Sequence, residues 1–388
     1  MVVVAVPFQI YVLTHSSLAV GLLGLVQIVP IILAGLYGGT LADRFDRRVV
    51  QLISKTIVAL GSLVLLAGAI VGRPTVGFLY LVAALAAAAS AVDQVAWTAT
   101  IPRLVSRRLL PSALSLRQAT YQTAAIIGPA AAGVVIATGG VRWAYAIDAT
   151  LYVPAAALLW KLSPQPSLDS QKVALGWRAP AEAISFVRRH RLLIGLFSAD
   201  LVAMIFGMPT AVFPALALTV FGLGPSGLGL LYAAPAAGAL LGSLFSGWIR
   251  DVSRQGVAVL CAIVVWGLAI AGFGLAGGKL WIGLPLLVLA GGADLVSAIF
   301  RGTILQLAIP DSMRGRMTAF HSMVTTAGPR LGDLEAGAVA ALVNPVFSVV
   351  SGGIACVIGT LALAVLLPEL RHYRAFGREV APPVPGAS

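Results

Sequence analysis

Long apolar stretches separated by short polar turns make up most of this chain of 388 residues. An α-helix needs roughly 20 apolar residues to cross a bilayer. The full-length apolar segments lie at about residues 18–42, 49–71, 76–100, 113–138, 142–161, 192–220, 226–249, 256–276, 280–308, 316–342 and 345–367. Residues 1–14 are apolar but too short to span. We therefore expect twelve membrane helices, the first of them truncated, either because it is short or because the true start lies upstream.

Composition agrees with a membrane location. The chain is 59% hydrophobic and only 10% charged, whereas soluble domains carry about 25% charged residues. Backbone groups in lipid must be hydrogen-bonded within the chain, which favours helices for long apolar runs. The sequence predicts an all-α integral membrane protein.

The arginines indicate an orientation. The net charge is +12, and a basic chain can indicate nucleic-acid binding, but these charges lie in short loops between apolar runs. Most of them fall on one side of the predicted spans, while the opposite loops hold Arg73, Arg142 and Lys279. By the positive-inside rule, the basic side is cytoplasmic. We expect a multi-pass plasma or inner-membrane protein with a cytoplasmic C-terminus and no nucleic-acid partner.

The chain divides into two similar halves. A polar interval separates them, and residues around Gly21–Arg44 repeat weakly around Gly229–Asp251, which pairs Gly39 with Gly247 and Asp43 with Asp251. Parallel six-helix repeats are typical of one class of secondary transporter. The predicted units are a helix bundle at 1–161, a linker at 162–191, a second bundle at 192–367 and a disordered tail at 368–388.

The linker contains an amphipathic segment. In PAEAISFVRRHR (Pro180–Arg191), Ala183, Phe186 and Val187 share one helical face and basic residues follow. Two interpretations remain open: a helix lying on the inner leaflet of the membrane, or a solvated linker helix.

One polar turn carries a motif. The stretch GTLADRFDRR (Gly39–Arg48) resembles the signature loop of the major facilitator superfamily, G-x-L-A-D-R-x-G-R-R/K, with Asp46 in place of the second glycine. The segments Asp93–Gly133 and Ile309–Met317 resemble the enterobactin-exporter-like branch of its drug:proton antiporters.

The resemblance implies two six-helix bundles that rock around a central cavity, working as a monomer on a small molecule with protons as the coupling ion. It also implies a cytoplasmic latch formed by Gly39, Asp43, Arg44 and Arg47. The Gly128–Pro129 pair in helix five is similar to an element of the antiporters. Proline removes a backbone donor and bends a helix, so we expect a kink there.

Charged residues inside the predicted spans are candidates for function, since a charge at mid-bilayer costs several kcal/mol. A relay for protons and substrate is predicted in the second half, where these residues are Asp200, Asp294, Arg301, Arg330, Asp333 and Glu335. Arg330 and Asp333 are three residues apart and share a helix face. The alternative is a permanent ion pair that only fixes helix packing.

Other polar residues carry weaker predictions. Asp93 is expected to pair with Arg103 or Arg117 near a cytoplasmic helix end. Glutamines are expected either to line a cavity or to bond between helices, and these are Gln27, Gln94, Gln118, Gln122 and Gln306.

We predict a secondary active transporter, a proton-driven exporter of a small amphiphilic molecule such as a drug or a siderophore-like compound. The alternatives are a facilitator or importer of the same fold, or a non-transporting truncated membrane protein. The sequence contains no G-x-x-x-x-G-K-S/T loop for nucleotide phosphates and no metal-ligand spacing among its four histidines and two cysteines. We therefore expect no enzyme activity, no cofactor and no metal.

Overall fold

The computed structural model describes residues 1–72, 74–106, 108–165 and 178–374, and within them it does not describe the side chains of 35–43, 103, 178–180 and 312. The helices of the first half are α1 (Val2–Thr14), α2 (Ser17–Arg44), α3 (Arg47–Val71), α4 (Val76–Leu104), α5 (Leu110–Gly139) and α6 (Val141–Trp160). After a linker helix, α7 (Arg178–Arg189), the chain continues with α8 (Arg191–Phe206), α9 (Phe213–Ala215), α10 (Gly224–Leu244), α11 (Gln255–Gly274), α12 (Leu280–Ala308), α13 (Arg314–Leu342), α14 (Pro345–Leu366) and α15 (Pro368–His372).

Most helix ends lie within a few residues of the predicted spans, and two spans differ. The segment predicted as one span at 192–220 breaks after Phe206, passes through a 3₁₀ turn at Thr210–Val212 and ends in a π-helical turn at Leu216–Val220. The free carbonyl of Gly207 at the break accepts a hydrogen bond of 3.0 Å from the Trp266 indole. The span predicted at 226–249 ends its α-helix at Leu244 and continues as a 3₁₀ turn.

Within the described ranges, nine helical segments are long and apolar enough to cross a membrane, counting Arg191–Val220 as one. Helices α6 and α13 fill two further predicted spans, but charged residues inside them lower their hydropathy. Arg142 and Asp148 lie in α6, and Arg330, Asp333 and Glu335 lie in α13.

The two halves repeat the same helix packing. In the first half, α4 packs against α2 and α3, and α3 also packs against α6. In the second half, α12 packs against α10 and α11, and α11 also packs against α14. The weak sequence repeat therefore has a counterpart in the arrangement of the helices.

The halves meet at two crossings, α2 with α13 and α5 with α10. Both crossings use glycine, because a side chain would collide with the opposite backbone: a Cβ on Gly229 would lie 2.6 Å from the Pro129 carbonyl oxygen, and one on Gly24 would lie 2.9 Å from the Arg330 carbonyl oxygen. Close approach through small residues is the usual way that membrane helices pack.

Both crossings lie away from the arginine-rich end of the molecule, which we define by the helix junctions at 44–47, 104–110, 244–255 and 308–314. Gly24 is near the start of α2, at the opposite end, and Gly133 is near the end of α5. The halves are thus joined at the arginine-poor end.

The linker helix α7 packs part of its apolar face against the second half of the protein, and its position relative to the membrane stays a prediction. Ala183 is fully buried, and Phe186 and Val187 pack on the hydrophobic core beside α8 and α13. Glu182 forms an ion pair of 2.6 Å with Arg316 at the start of α13. The linker helix is therefore packed and ion-paired against the second half at the arginine-rich end.

Candidate transport cavity

A cavity of about 1320 Å³ lies between the two halves. Its walls come from α1 to α6 of the first half and from α13 of the second half. The lining includes Thr98, Arg117 and Arg316, which lie near the arginine-rich ends of their helices, and Leu65 and Val82 toward the opposite end. Since the crossings join the halves at the arginine-poor end, the cavity opens toward the arginine-rich end.

Most of the cavity wall is apolar, with a few polar groups placed on it. Of the glutamines predicted to line a cavity, Gln27 and Gln94 do so. The buried Gln27 side-chain oxygen accepts no hydrogen bond from the described residues. Arg117, Arg316 and Arg330 bring positive charge to the wall. An apolar cavity with a few polar anchors is typical of small-molecule sites.

Asp333 lies at the α2–α13 crossing, and the break after α8 holds its carboxylate. Its Oδ1 accepts hydrogen bonds from the Thr210 hydroxyl and, at 3.0 Å, from the Ala211 backbone N–H. The other oxygen is 3.8 Å from Arg330 Nη1, so the predicted pair is present but long. The Asp333 side chain thus connects α13 to the first turn after the helix break.

Sequence reasoning missed Thr210, which lies 123 residues from Asp333. The stretch GMPTAVFP (Gly207–Pro214) contains glycine and two prolines, which is a recognisable signal for a broken helix. Nothing in the sequence indicates which acid the break holds.

Asp200, Asp294 and Arg301 form a second cluster, between α8 and α12. Arg301 Nη2 is 3.0 Å from Asp200 Oδ1 and 3.6 Å from Asp294 Oδ1, and its Nη1 donates to Ser297 at 3.0 Å. The side chains of Arg301 and Asp200 are 4% and 2% exposed, while Asp294 is 40% exposed. Neither Asp200 oxygen accepts a well-aligned hydrogen bond from the described residues.

The remaining candidate acids lie apart from these clusters. Glu335 is half-buried and makes no hydrogen bond or ion pair with any described residue. Asp93 pairs with Lys55 at 2.8 Å, because α3 packs along α4 and brings Lys55 opposite Asp93, a contact that no local spacing reveals. Arg117 forms no ion pair with Asp93 among the described residues. The Arg103 side chain lies outside the described residues, so the pairing with Arg103 stays a prediction.

The predicted latch lies only in part within the described structure. The surroundings of Gly39 and the side chain of Asp43, in the last turns of α2, are not described, and Arg44 is exposed. Arg47 donates a hydrogen bond of 2.8 Å to the Ala99 carbonyl of α4. Asp46, the departure from the signature, caps α3 by accepting from the Arg48 backbone N–H at 2.8 Å, a common role for aspartate.

The Gly128–Pro129 pair lies within α5, where Pro129 forms part of the α5–α10 crossing. The Pro129 carbonyl faces Gly229 across that crossing, whereas a Cβ on Gly128 would meet nothing within 4 Å. The kink itself stays a prediction.

The chain matches the family described as Major Facilitator Superfamily over residues 1–332. It is 32% identical over 391 residues to a protein named enterobactin exporter EntS from Citrobacter koseri, with 98% of this chain and 90% of that protein covered. The protein of that name from Salmonella typhi is 30% identical over 377 residues, with 96% and 89% covered.

Among solved structures, the nucleoside transporter NupG aligns with a TM-score of 0.71 at 14% identity, covering 96% of this chain and 95% of that one. This likeness concerns the fold. Together with the family match over most of the chain, the paired halves and the central cavity, it identifies the chain as a membrane transporter that belongs to the major facilitator superfamily.

Proposed function

We propose that this transporter exports a small amphiphilic molecule, such as a siderophore-like compound, from the cytoplasm, and that inward proton flow drives the export. The observation that carries the proposal is the central cavity, open at the arginine-rich end and closed at the other by two glycine crossings. The positive-inside rule makes the arginine-rich end cytoplasmic, so the cavity faces the compartment from which an exporter loads.

The relatives support the substrate class. Two proteins about 30% identical over nearly the whole chain carry the name enterobactin exporter. The cavity fits an amphiphile because its wall is largely apolar, with arginines and glutamines as polar anchors.

The two acid clusters of the second half support proton coupling. Protonation of Asp333 would weaken its contact with Arg330 and its hold on the Thr210–Val212 turn, at the crossing that must open. Protonation of Asp200 or Asp294 would loosen Arg301 between α8 and α12. A proton can shift a conformational equilibrium only through such differential contacts.

Proton-driven export can be tested by compound accumulation in a bacterial host stripped of its own efflux pumps. Cells with the chain are compared with vector-only cells, using enterobactin and a panel of lipophilic drugs, with and without a protonophore. We expect the chain to lower accumulation of at least one compound and the protonophore to remove the difference.

Two outcomes would contradict the proposal. Raised accumulation would favour an importer or facilitator of the same fold. Lower accumulation that the protonophore leaves unchanged would retain export but exclude proton coupling.

A further inference from the structure

A second, smaller crevice lies outside the transport cavity, where the linker helix meets the second half. Its volume is about 280 Å³. One side is a face of α8, and the other sides come from α7 and from one aromatic ring of α13. We call it the α7–α8 groove, and its lining consists of Ile184, Val187, Arg188, Ile194, Phe197, Ser198, Leu201 and Phe320.

The groove is apolar along its length and basic at its rim. Apart from Ser198 and Arg188, every lining side chain is a hydrocarbon or an aromatic ring. Arg188 is exposed and forms no ion pair or hydrogen bond with any described residue. An occupant that satisfies both parts needs an apolar tail and an anionic head.

The size and position of the groove narrow the choice of occupant. A groove of about 280 Å³ can take part of one acyl chain, whereas a helix, about 10–12 Å across with its side chains, is too wide to enter it. The groove adjoins the start of α8 at the arginine-rich end, the level at which lipid headgroups meet the hydrocarbon core. Basic side chains at that level attract anionic lipids, by about 1 kcal/mol each.

We propose that the α7–α8 groove is a binding site for one anionic phospholipid, with an acyl chain along α8 and the phosphate at Arg188. Phe320 lines both this groove and the transport cavity. One turn earlier on α13, Arg316 lines the cavity and holds Glu182 of α7. A bound lipid would therefore brace the linker helix against the wall of the cavity mouth.

The site can be tested by native mass spectrometry of the full chain purified in a mild detergent. The protein is titrated with dioleoyl phosphatidylglycerol, with dioleoyl phosphatidylcholine and with glycerol phosphate. We expect one phosphatidylglycerol to be retained in preference to phosphatidylcholine, and no competition from glycerol phosphate at equal concentration, since that probe lacks the acyl chain.

Three variants localise the site. Arg188→Gln should weaken phosphatidylglycerol binding about fivefold, the loss expected for one basic contact near the surface. Ser198→Trp should abolish the binding by filling the groove. Arg371→Gln, which removes an exposed arginine on α15, is the charge-matched control and should leave binding unchanged.

Several results would overturn the proposal. These are equal retention of both lipids, competition by glycerol phosphate, and equal loss of lipid binding in Arg188→Gln and Arg371→Gln. A dimer of the chain that becomes a monomer in Ser198→Trp would also overturn it, since a second copy would then be the occupant of the groove. Should Ser198→Trp fail to elute as a single folded species, the comparison of the two arginine variants decides alone.

Discussion

The two halves of this transporter share one plan and differ in where they hold charge. Each contributes two helices with glycine at the contact to the two crossings, and each repeats the same helix contacts. The second half contains an ion cluster whose central side chains, Arg301 and Asp200, are almost fully buried. In the first half, the ion pair of Lys55 with Asp93 joins α3 to α4, and its side chains are 23% and 22% exposed.

The crossings differ in the same way. Where α5 meets α10, the facing groups are backbone atoms of Pro129, Gly133, Pro225 and Gly229. Where α2 meets α13, glycines face the backbone of Arg330 and Asp333, whose side chains are charged. Glycine allows close packing at both crossings, but charged side chains lie at only one of them. We infer that the first half serves mainly as a cavity wall and the second half responds to protons.

The largest expected effect comes from breaking the buried cluster. Arg301→Met leaves Asp200 and Asp294 without their cation, and removing one partner of a buried pair costs about 3–5 kcal/mol. Lys55→Met breaks an ion pair of the first half and should cost about 1 kcal/mol or less, because that pair is more exposed. The thermal unfolding midpoints of both purified variants measure the difference, and equal losses would show that the halves do not differ in this respect.

The next effect comes from the neutral crossing. Gly229→Val should separate α5 from α10, because the added Cβ would lie 2.6 Å from the Pro129 carbonyl oxygen. Overpacking of this kind costs about 1–3 kcal/mol, which would disfavour the conformation closed at the arginine-poor end by about 5- to 150-fold. Gly128→Val is the control, since its Cβ meets nothing within 4 Å.

The reactivity of a cysteine placed at Ile136, which is buried one turn beyond the crossing in α5, measures that opening. We expect the cysteine to react faster with a polar thiol reagent in Gly229→Val than in Gly128→Val. Equal rates in the two variants would mean that this crossing does not close the cavity.

How much of the structure could be predicted from the sequence depends on how far apart along the chain the interacting residues lie. Apolar runs are local, so the helix bounds could be predicted to within a few residues, and an acid inside such a run is visible as an exception. The partner of that acid is not. Lys55 and Thr210 are placed by helix packing, 38 and 123 residues from the acids that they contact.

Local breaks lie between these cases. The glycine and prolines of Gly207–Pro214 indicate a break in the helix. The hydropathy stays high across the break because those residues lie among apolar ones, so one continuous span was predicted. The apolar face of α7 was visible in its spacing, yet spacing cannot distinguish a lipid partner from a protein partner. Ala183 faces protein because the linker folds back onto α13.

The smallest and most specific effect should come from Asp333, which joins the charged crossing to the broken helix. Asp333→Asn preserves the shape of the side chain but removes its charge. A hydrogen bond to a charged group contributes about 1.5–3 kcal/mol and one to a neutral group about 0.5–1.5 kcal/mol. We therefore expect the free energy of unfolding to fall by about 1–2 kcal/mol, with an unchanged fold.

The specific consequence is that export by Asp333→Asn should no longer respond to an imposed pH gradient. Glu335→Gln is the matched control, since Glu335 lies on the same helix without a partner among the described residues, and it should retain the response. Transport by purified protein in vesicles, with the pH gradient varied at constant membrane potential, separates the two. If Glu335→Gln loses the response and Asp333→Asn retains it, the proton acts on the other face of α13, and the contact with the Thr210–Val212 turn is a structural tie only.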